Sequence, residues 1–247
     1  DALLHLTEMW KRALLKNLTV GSILIDLNKA FDCMSHPLLL AKLREYGLSS
    51  GALDLMKSYL ANRKQRVKIG QNFSMFRNKL KSVPQGSNFG PILFNVFIND
   101  LYFCITEATL TNYADDNTLT VTNKDPLKLK ETLDREVNKT MTWFSENFMP
   151  ANPEKFQAIV LGLGRNALTH FNLHDSVVQT VDQVKLLGVH LDQNLNFEPH
   201  INVICRRAGQ QLNVFKRVSN FLSTEAKMSI FKCYFEPLQL LSSCMAL

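Results

Sequence analysis

The feature that most constrains this sequence is residues 110–121, where an acidic cluster interrupts a run of apolar and β-branched residues. Such residues on both sides of Asp115-Asp116-Asn117 predict a β-hairpin with two carboxylates at its tip. Adjacent carboxylates repel each other, so the pair by itself adds little to the stability of a fold. A divalent cation removes that repulsion, and Mg²⁺ prefers hard oxygen ligands of this kind. A solvated acidic turn is the simpler explanation unless a further acidic residue lies nearby.

A third acidic residue follows a predicted strand. Residues 22–26 form a short apolar run that ends in Asp26, and such a run predicts a strand buried on both faces. At the end of this strand, Asp26 would place its side chain in a cleft that Phe31 also lines. The alternative is that Asp26 only caps the next turn. If strand and hairpin are neighbours in one sheet, three carboxylates converge. Such a set suits two Mg²⁺ ions about 3.5–4 Å apart, the arrangement for in-line phosphoryl transfer.

Composition bounds the remaining possibilities. The 247 residues suffice for one large domain or two small ones, and the net charge of +6 weakly indicates a polyanionic partner. The five cysteines form no Cys-x-x-Cys pair, which favours buried thiols in a reducing compartment over disulfides or a zinc site. The sequence shows no signal peptide and no apolar run of about 18 residues. We therefore expect an intracellular protein, nuclear and/or cytoplasmic, that does not enter a membrane.

Hydrophobic periodicity and capping residues predict the other elements. Helices are predicted over residues 3–16, 36–46, 50–60, 91–101 and 126–147, from residue 199 onward, and over residues 223–235. Strands are predicted over residues 156–161, 168–173, 177–181 and 184–191, the last with a kink at Gly188. The chain thus ends in a helical appendix.

Two stretches between the acidic residues carry further polar chemistry. Residues 63–70 are basic and alternating, and with the turn that follows they predict a hairpin with a basic face. Phosphate contact and a solvated strand edge explain that face equally well. Residues 82–91 predict a structured loop whose backbone is approachable at Gly86, where Gln85 can hydrogen-bond a base or a sugar. An ordinary strand-to-helix connection is the alternative for this loop.

The C-terminal helical segment carries a basic face. Arg206 and Arg217 are eleven residues apart, which is three helical turns, so they share one face, and Arg207 and Lys216 flank them. A basic helix face can track a phosphate backbone. An ordinary solvated face is the alternative.

The order of the motifs is more specific than any one of them. They are Ile25–Asp32 with His36, Val83–Ser87 with Gly90-Pro91, Ile98–Leu101, Tyr113–Asp116 and Leu186–Val189. In order and spacing the set resembles the reverse transcriptase of non-LTR (LINE-type) retrotransposons, from residue 1 to about residue 235.

The resemblance implies a fold and an activity. The fold is α+β, a right-hand polymerase palm with an antiparallel sheet backed by helices over residues 1–192, followed by a partial helical thumb over residues 193–247. The activity is that of an RNA-directed DNA polymerase, which adds a dNTP to the 3′-OH of a DNA primer on an RNA template. The implied cofactor is a pair of Mg²⁺ ions, with Mn²⁺ as a substitute.

The resemblance also implies roles for single residues. Asp26, Asp115 and Asp116 would bind the metal ions, assisted by the backbone carbonyl of Leu27. Phe31 would be the steric gate against a ribose 2′-OH, and Lys155 would donate a proton to pyrophosphate, with a plain surface lysine as the alternative. The other implied contacts are Gln85, Gly86 and Tyr113 with nucleotide and template, Leu187 and Gly188 as primer grip, and Arg206, Arg207, Lys216 and Arg217 with the duplex.

The sequence departs from the family pattern in several places. Only 25 residues precede Asp26, so we expect this chain to lack the basic fingers segment and to carry only part of the thumb. Phe156 stands where a threonine is usual, and Asn88-Phe89 replaces an apolar pair. We therefore expect a truncated element with little or no processive synthesis. Two alternatives stay open: an inactive remnant that binds nucleic acid, and an unrelated two-metal nuclease or nucleotidyl transferase.

Overall fold

The computed structural model describes residues 2–27, 29–79, 81–84 and 86–235, and the chain divides into two compact units between Val181 and Asp182. The helices of the first unit are α1 (Ala2–Leu15), α2 (Ala30–Cys33), α3 (His36–Glu45), α4 (Ser50–Leu60), α5 (Phe89–Ile98), α6 (Leu101–Cys104) and α7 (Pro126–Glu146). Its strands are β1 (Thr19–Asp26), β2 (Lys64–Gln65), β3 (Lys68–Ile69), β4 (Asn72–Phe73), β5 (Arg77–Asn78), β6 (Thr109–Tyr113), β7 (Asp116–Asn123), β8 (Gln157–Leu161), β9 (His170–Leu173) and β10 (Ser176–Gln179). The second unit contains β11 (Gln183–Leu186), β12 (Val189–Asp192), α8 (Glu198–Val218), α9 (Thr224–Ile230) and a π-helical turn (Phe231–Phe235).

A four-stranded antiparallel sheet organises the first unit. Its strand order is β6-β7-β1-β8, so β1 is central and pairs along its length with β7. Every residue of β1 before Asp26 is buried, which confirms the strand that the apolar run predicted and extends it back to Thr19. The sheet therefore places Asp26 at the point where the central strand leaves the core.

Helix α7 covers one face of the sheet. The Asp125 side chain caps its first turn by accepting the Leu127 backbone N–H at 2.9 Å, as the Asp-Pro start predicted. Leu129, Leu133 and Val137 are fully buried against the strands. A Cβ added to Gly21 of β1 would lie 2.5 Å from Leu129 Cδ2, so this close approach of helix and strand requires a residue without a side chain.

A polar network joins α1 to the sheet. The Trp10 indole N–H donates to Thr120 Oγ1 at 3.3 Å, and the hydroxyls of Ser22 and Thr120 lie 2.7 Å apart. All three side chains are buried, so each polar atom in this network has a partner in place of water.

Two buried charges join neighbouring helices. Lys42 Nζ of α3 donates to the Phe97 carbonyl at 2.8 Å and to Asp100 Oδ1 at 2.7 Å. Glu136 of α7 is fully buried and accepts from the Thr106 backbone N–H at 2.9 Å and from Lys139 Nζ at 2.7 Å. Burial raises the pKa of Glu136, but hydrogen bonds from Lys139 and from this backbone outweigh it, so the pKa lies below its usual value.

The second unit corrects part of the prediction from sequence. Residues 184–191 were predicted as one kinked strand, whereas the structure has the hairpin β11–β12 with Leu187-Gly188 as its two-residue loop. Both loop residues have positive φ, 48° and 85°, as the tightest hairpin turns require. In α8, only His200 is buried, so most of that helix is not covered by the described residues of its unit.

Smaller differences concern helix ends and membrane character. The helix predicted from Pro91 begins at Phe89 and ends at Ile98, and the helix predicted over 223–235 becomes π-helical after Ile230. None of the helices within the described ranges has both the length and the apolar character of a membrane span.

Candidate active site

Two of the predicted carboxylates face each other across the sheet. Asp26, the last residue of β1, is the register partner of Asp116, the first residue of β7. Residues directly opposite in an antiparallel pair point to the same face, with Cβ atoms about 4.5–5.5 Å apart. Burial, then the charges of Asp115 and Asp26, raise the pKa of the Asp116 carboxyl above its usual value. The two strands thus bring these acidic groups together, as the sequence predicted.

The third carboxylate lies in the loop between β6 and β7. Tyr113 pairs with Asp116, so Ala114 and Asp115 form a two-residue loop and Asp116 belongs to the strand. The Asp-Asp-Asn turn predicted over residues 115–117 is therefore a two-residue loop that begins one residue earlier and ends two residues earlier. Ala114 has φ 54°, a conformation uncommon for a residue with a side chain. Tyr113, on the same face as Asp116, is exposed.

A pair of asparagines under this loop was not predicted. Asn117 is 1% exposed, and its Nδ2 donates to the backbone carbonyl of Asp115 at 2.8 Å. The side-chain amide of Asn112, its cross-strand partner, donates to Asn117 Oδ1. Asn112 Oδ1 is buried without a hydrogen-bond partner among the described residues. The two-residue loop pairs positions 112 and 117, so a correct turn prediction would have revealed this contact.

Lys155 lies beside the carboxylates. It ends a 3₁₀ turn, Pro153–Lys155, which one residue separates from β8, the other neighbour of β1. Its Nζ is 3.7 Å from Asp26 Oδ2, and both side chains are 50% exposed. An ion pair this exposed stabilises a fold by at most about 1 kcal/mol. Stability therefore hardly explains why Lys155 lies beside Asp26.

Phe31 and the glycine loop lie near the end of β1. The Phe31 ring, on α2, stacks on that of Phe94 with centroids 4.5 Å apart. The Phe31 carbonyl accepts the Val83 N–H at 3.4 Å, so α2 contacts the start of the loop that carries Gly86. Gly86 has φ 78° and nothing within 4 Å of an added Cβ, so its backbone is approachable as predicted. Gln85, predicted beside it, lies outside the described residues.

The donor set fits a hard divalent cation. All three side chains are carboxylates, and the pKa of Asp116 is raised first by burial and then by the charges of Asp115 and Asp26, which such a cation would neutralise. Within the described ranges, no three His, Cys, Asp or Glu side chains already stand close enough together to hold an ion. Binding would therefore require side-chain adjustment at Asp26, which is exposed, or at Asp115, which is half-buried.

The remaining predicted site residues belong to the second unit. Leu187 and Gly188 form the tip of the β11–β12 hairpin. Arg206, Arg207, Lys216 and Arg217 are all exposed on α8.

Comparison with known proteins identifies the family. Residues 8–191 match the family described as reverse transcriptase (RNA-dependent DNA polymerase). Because the match covers more than half of the chain, the protein belongs to this family, and the resemblance seen in its motifs is confirmed.

The curated relatives include proteins of mobile elements. The chain is 27% identical over 223 residues to the "Probable RNA-directed DNA polymerase from transposon BS" of Drosophila melanogaster, covering 85% of this chain and 24% of that protein. It is 27% identical over 235 residues to the "RNA-directed DNA polymerase from mobile element jockey" of Drosophila funebris, covering 91% and 26%. The chain thus spans about a quarter of the length of these relatives.

Solved structures with a similar fold include telomerase of Candida tropicalis. The apo enzyme truncated from its C-terminal domain gives a TM-score of 0.53 at 14% identity, over 74% of this chain and 36% of that one. The enzyme with the TWJ fragment of telomeric RNA gives 0.52 at 15% identity, over 78% and 31%. At this identity the likeness shows the fold alone: a mixed helix-and-sheet fold of the reverse transcriptase kind.

Proposed function

We propose that this chain is the palm and the beginning of the thumb of an RNA-directed DNA polymerase from a non-LTR retrotransposon. The palm extends over residues 1–192 and the partial thumb over residues 193–247; the boundary between the compact units, after Val181, lies near this division. Family membership and the names of the relatives support the proposal, and they remove the reason to consider an unrelated two-metal enzyme.

One observation carries the proposal. Asp26 and Asp116 are register partners at the end of a central strand, and Asp115 lies in the adjoining loop. Burial, and then the charges of Asp115 and Asp26, raise the pKa of Asp116, so three carboxylates at this end of the sheet cost free energy unless a cation neutralises them. A structural role does not explain that cost.

The carboxylates are proposed to hold two Mg²⁺ ions, or Mn²⁺ in their place, with the Leu27 carbonyl assisting. When bound, such ions would activate the primer 3′-OH and neutralise the triphosphate of the dNTP. Asp26 and Asp116 would set where such ions bind, because the sheet fixes both backbones. The chain's main contribution is positioning.

Neighbouring residues are proposed to orient the substrates. Lys155, 3.7 Å from Asp26, holds a proton where the pyrophosphate leaves. Phe31, held by Phe94, limits space at the sugar and so favours a deoxyribonucleotide. The further proposed contacts are Gln85, Gly86 and Tyr113 with nucleotide and RNA template, Leu187 and Gly188 with the DNA primer, and Arg206, Arg207, Lys216 and Arg217 with the duplex.

Primer extension on an RNA template tests the proposal. The wild-type chain, although not expected to be processive, should add at least the first nucleotide to a DNA primer with Mg²⁺ or Mn²⁺, and Asp26→Asn or Asp115→Asn should lower the rate of that addition about 100-fold or more. Asp54→Asn, at an exposed position of α4, removes the same charge outside the site and should leave the rate unchanged.

The opposite result has a defined meaning. If the wild-type chain extends no primer with either metal, and Asp115→Asn binds template-primer as tightly as wild type, the polymerase proposal is wrong. The chain is then the nucleic-acid-binding remnant that the sequence left open.

A further inference from the structure

Positive charge is concentrated in one segment of the chain. Residues 55–99 contain eight Lys and Arg and no Asp or Glu. The whole chain has 28 Lys and Arg and 22 Asp and Glu, so the rest carries 20 against 22. The net charge of +6 therefore arises in this segment, and seven of its eight basic residues lie between Arg63 and Lys81.

These basic residues lie on a two-stranded ribbon. Strand β2 pairs with β5, and β3 pairs with β4. Between the two pairs the register shifts by one residue, so Arg66 faces both Met75 and Phe76 in a β-bulge. Every residue from Ala61 to Asn78 is exposed, so the ribbon has no core of its own. Its side chains are available to a partner on both faces.

One face of the ribbon is both cationic and aromatic. Lys64, Arg66 and Lys68 alternate along the strand, which places them on the same face. The guanidinium carbon of Arg66 lies 4.0 Å from the Phe73 ring centroid and 4.8 Å from that of Phe76. Lys68 Nζ lies 5.3 Å from the Phe73 centroid. We call Lys64, Arg66, Lys68, Phe73 and Phe76 the basic ribbon face.

This face has neither a counter-charge nor a cover. Among the described residues, no carboxylate forms an ion pair with Lys64, Arg66 or Lys68. Phe73 is 49% exposed and Phe76 is 60% exposed, although both are large apolar side chains. Cations and aromatic rings that a fold leaves exposed side by side match a ligand with anionic and flat aromatic groups.

We propose that the basic ribbon face binds a single strand of nucleic acid, with phosphates against the three cations and bases against the two rings. The inference deepens the proposed function and rests on it only for the choice of nucleic acid as the polyanion. The base of the ribbon lies beside α2, because Lys79 Nζ lies 3.4 Å from Asp32 Oδ1 and Asp32 follows Phe31.

The rings favour a single strand over the other polyanions. In a duplex the bases stack on each other, so their faces are not open to a side chain, whereas every unpaired base offers its face. An acidic protein surface would neutralise the cations but would offer nothing to Phe73 and Phe76.

Binding of a fluorescein-labelled single-stranded RNA to the full chain, followed by anisotropy over a range of NaCl concentrations, tests the inference. Each phosphate contact with a single strand contributes about 0.7 to the slope of log affinity against log salt, so the triple variant Lys64→Gln, Arg66→Gln, Lys68→Gln should lower the slope by about 2. The matched control Lys16→Gln, Lys124→Gln, Lys128→Gln removes three exposed charges from other elements and should keep the wild-type slope.

Two further variants separate charge from stacking. Lys64→Arg with Lys68→Arg keeps the charge and should bind as wild type. Phe73→Ser with Phe76→Ser should weaken binding about tenfold or more without changing the salt slope. All substituted positions are exposed, so each variant should keep the wild-type unfolding midpoint.

Three results would overturn the inference: equal slopes for the two triple variants, a matched duplex bound as tightly as the single strand, or polyglutamate competing as well as polyuridine. None of these measurements needs catalysis, and Asp115→Asn should bind the RNA as wild type does. A failure of primer extension would therefore count against the proposed function but not against RNA binding by the basic ribbon face.

Discussion

Asp115 is held at the tip of its hairpin by contacts beneath it. The Asn117 side chain donates to the Asp115 carbonyl, and Asn112 in turn donates to Asn117, so a chain of two amides holds the loop. Asn117 is buried and Asn112 is half-buried, so water does not readily replace a hydrogen bond lost between them. The position of the Asp115 carboxylate therefore depends on a residue that touches no substrate.

Replacing Asn117 by Ala should weaken the metal site. The Asp115 loop loses its hydrogen bond, so the Mg²⁺ concentration at half-maximal primer extension should rise several-fold. The free energy of unfolding should fall by about 1–2 kcal/mol. A magnesium titration and a denaturant titration measure the two effects.

Asn123→Ala is the matched control, since Asn123 ends the same strand and its Oδ1 accepts the Asp125 N–H at 3.0 Å. It should lower stability by a similar amount and leave the magnesium midpoint unchanged. Equal midpoints for both variants would contradict a positioning role for Asn117.

At the scale of the elements, the packing of α7 against β1 determines the position of the central strand. Gly21 lets Leu129 approach to a distance that no side chain at position 21 permits. Leu129, Leu133 and Phe171, the nearest side chains, are all fully buried, and side chains in a close-packed core move aside only at a cost in free energy.

Gly21→Ala should therefore overpack this contact and lower the free energy of unfolding by about 1–3 kcal/mol. Gly51→Ala in α4 is the control, because nothing lies within 4 Å of the added Cβ and Ala favours a helix, so stability should stay level or rise by up to about 1 kcal/mol. Chemical denaturation compares the two. A neutral Gly21→Ala would show that the helix can shift away from the strand.

The elements also show what a sequence can predict. Helix α7 and strand β1 were predicted because a long periodic stripe with an Asp-Pro start, and an unbroken apolar run, each allow few alternatives. The β11–β12 hairpin was missed because its loop, Leu187-Gly188, lies within apolar residues and places a leucine at positive φ, which no local pattern announces. At the candidate site, the acidic residues were predictable from motif order, whereas Asn112 and Asn117 depend on the exact loop length.

At the scale of the whole molecule, the two units differ in how they should respond to acid. His200, at the start of α8, is buried, and its Nδ1 accepts the His190 backbone N–H at 3.4 Å. Burial, then the charges of His190 and Arg207, lower the pKa of His200. Below about pH 6.5 the unfolded chain binds a proton that the folded chain does not, so acidification from pH 7.5 to 5.5 should destabilise the second unit.

Hydrogen exchange over residues 182–235 measures this effect, and exchange there should become faster at pH 5.5 after correction for the intrinsic rate. Trp10 and Trp143, the two tryptophans, both lie in the first unit, so their fluorescence reports separately on that unit. His200→Gln should reduce the pH dependence, and His5→Gln, at an exposed position, should not. Unchanged behaviour of His200→Gln would exclude His200 as the cause.

The pairing of Asp26 with Asp116 depends on the register of the whole strand, because it is the last pair of a ladder that begins at Thr19 and Asn123. Successive side chains along a strand point to opposite faces, so the loss of a single codon within residues 19–25 would turn Asp26 away from Asp116. Such a deletion would hardly alter the apolar composition, and every motif could still be recognised in the sequence. A copy of this gene with such a deletion would therefore still match every motif, although its acidic groups lie on opposite faces of the sheet.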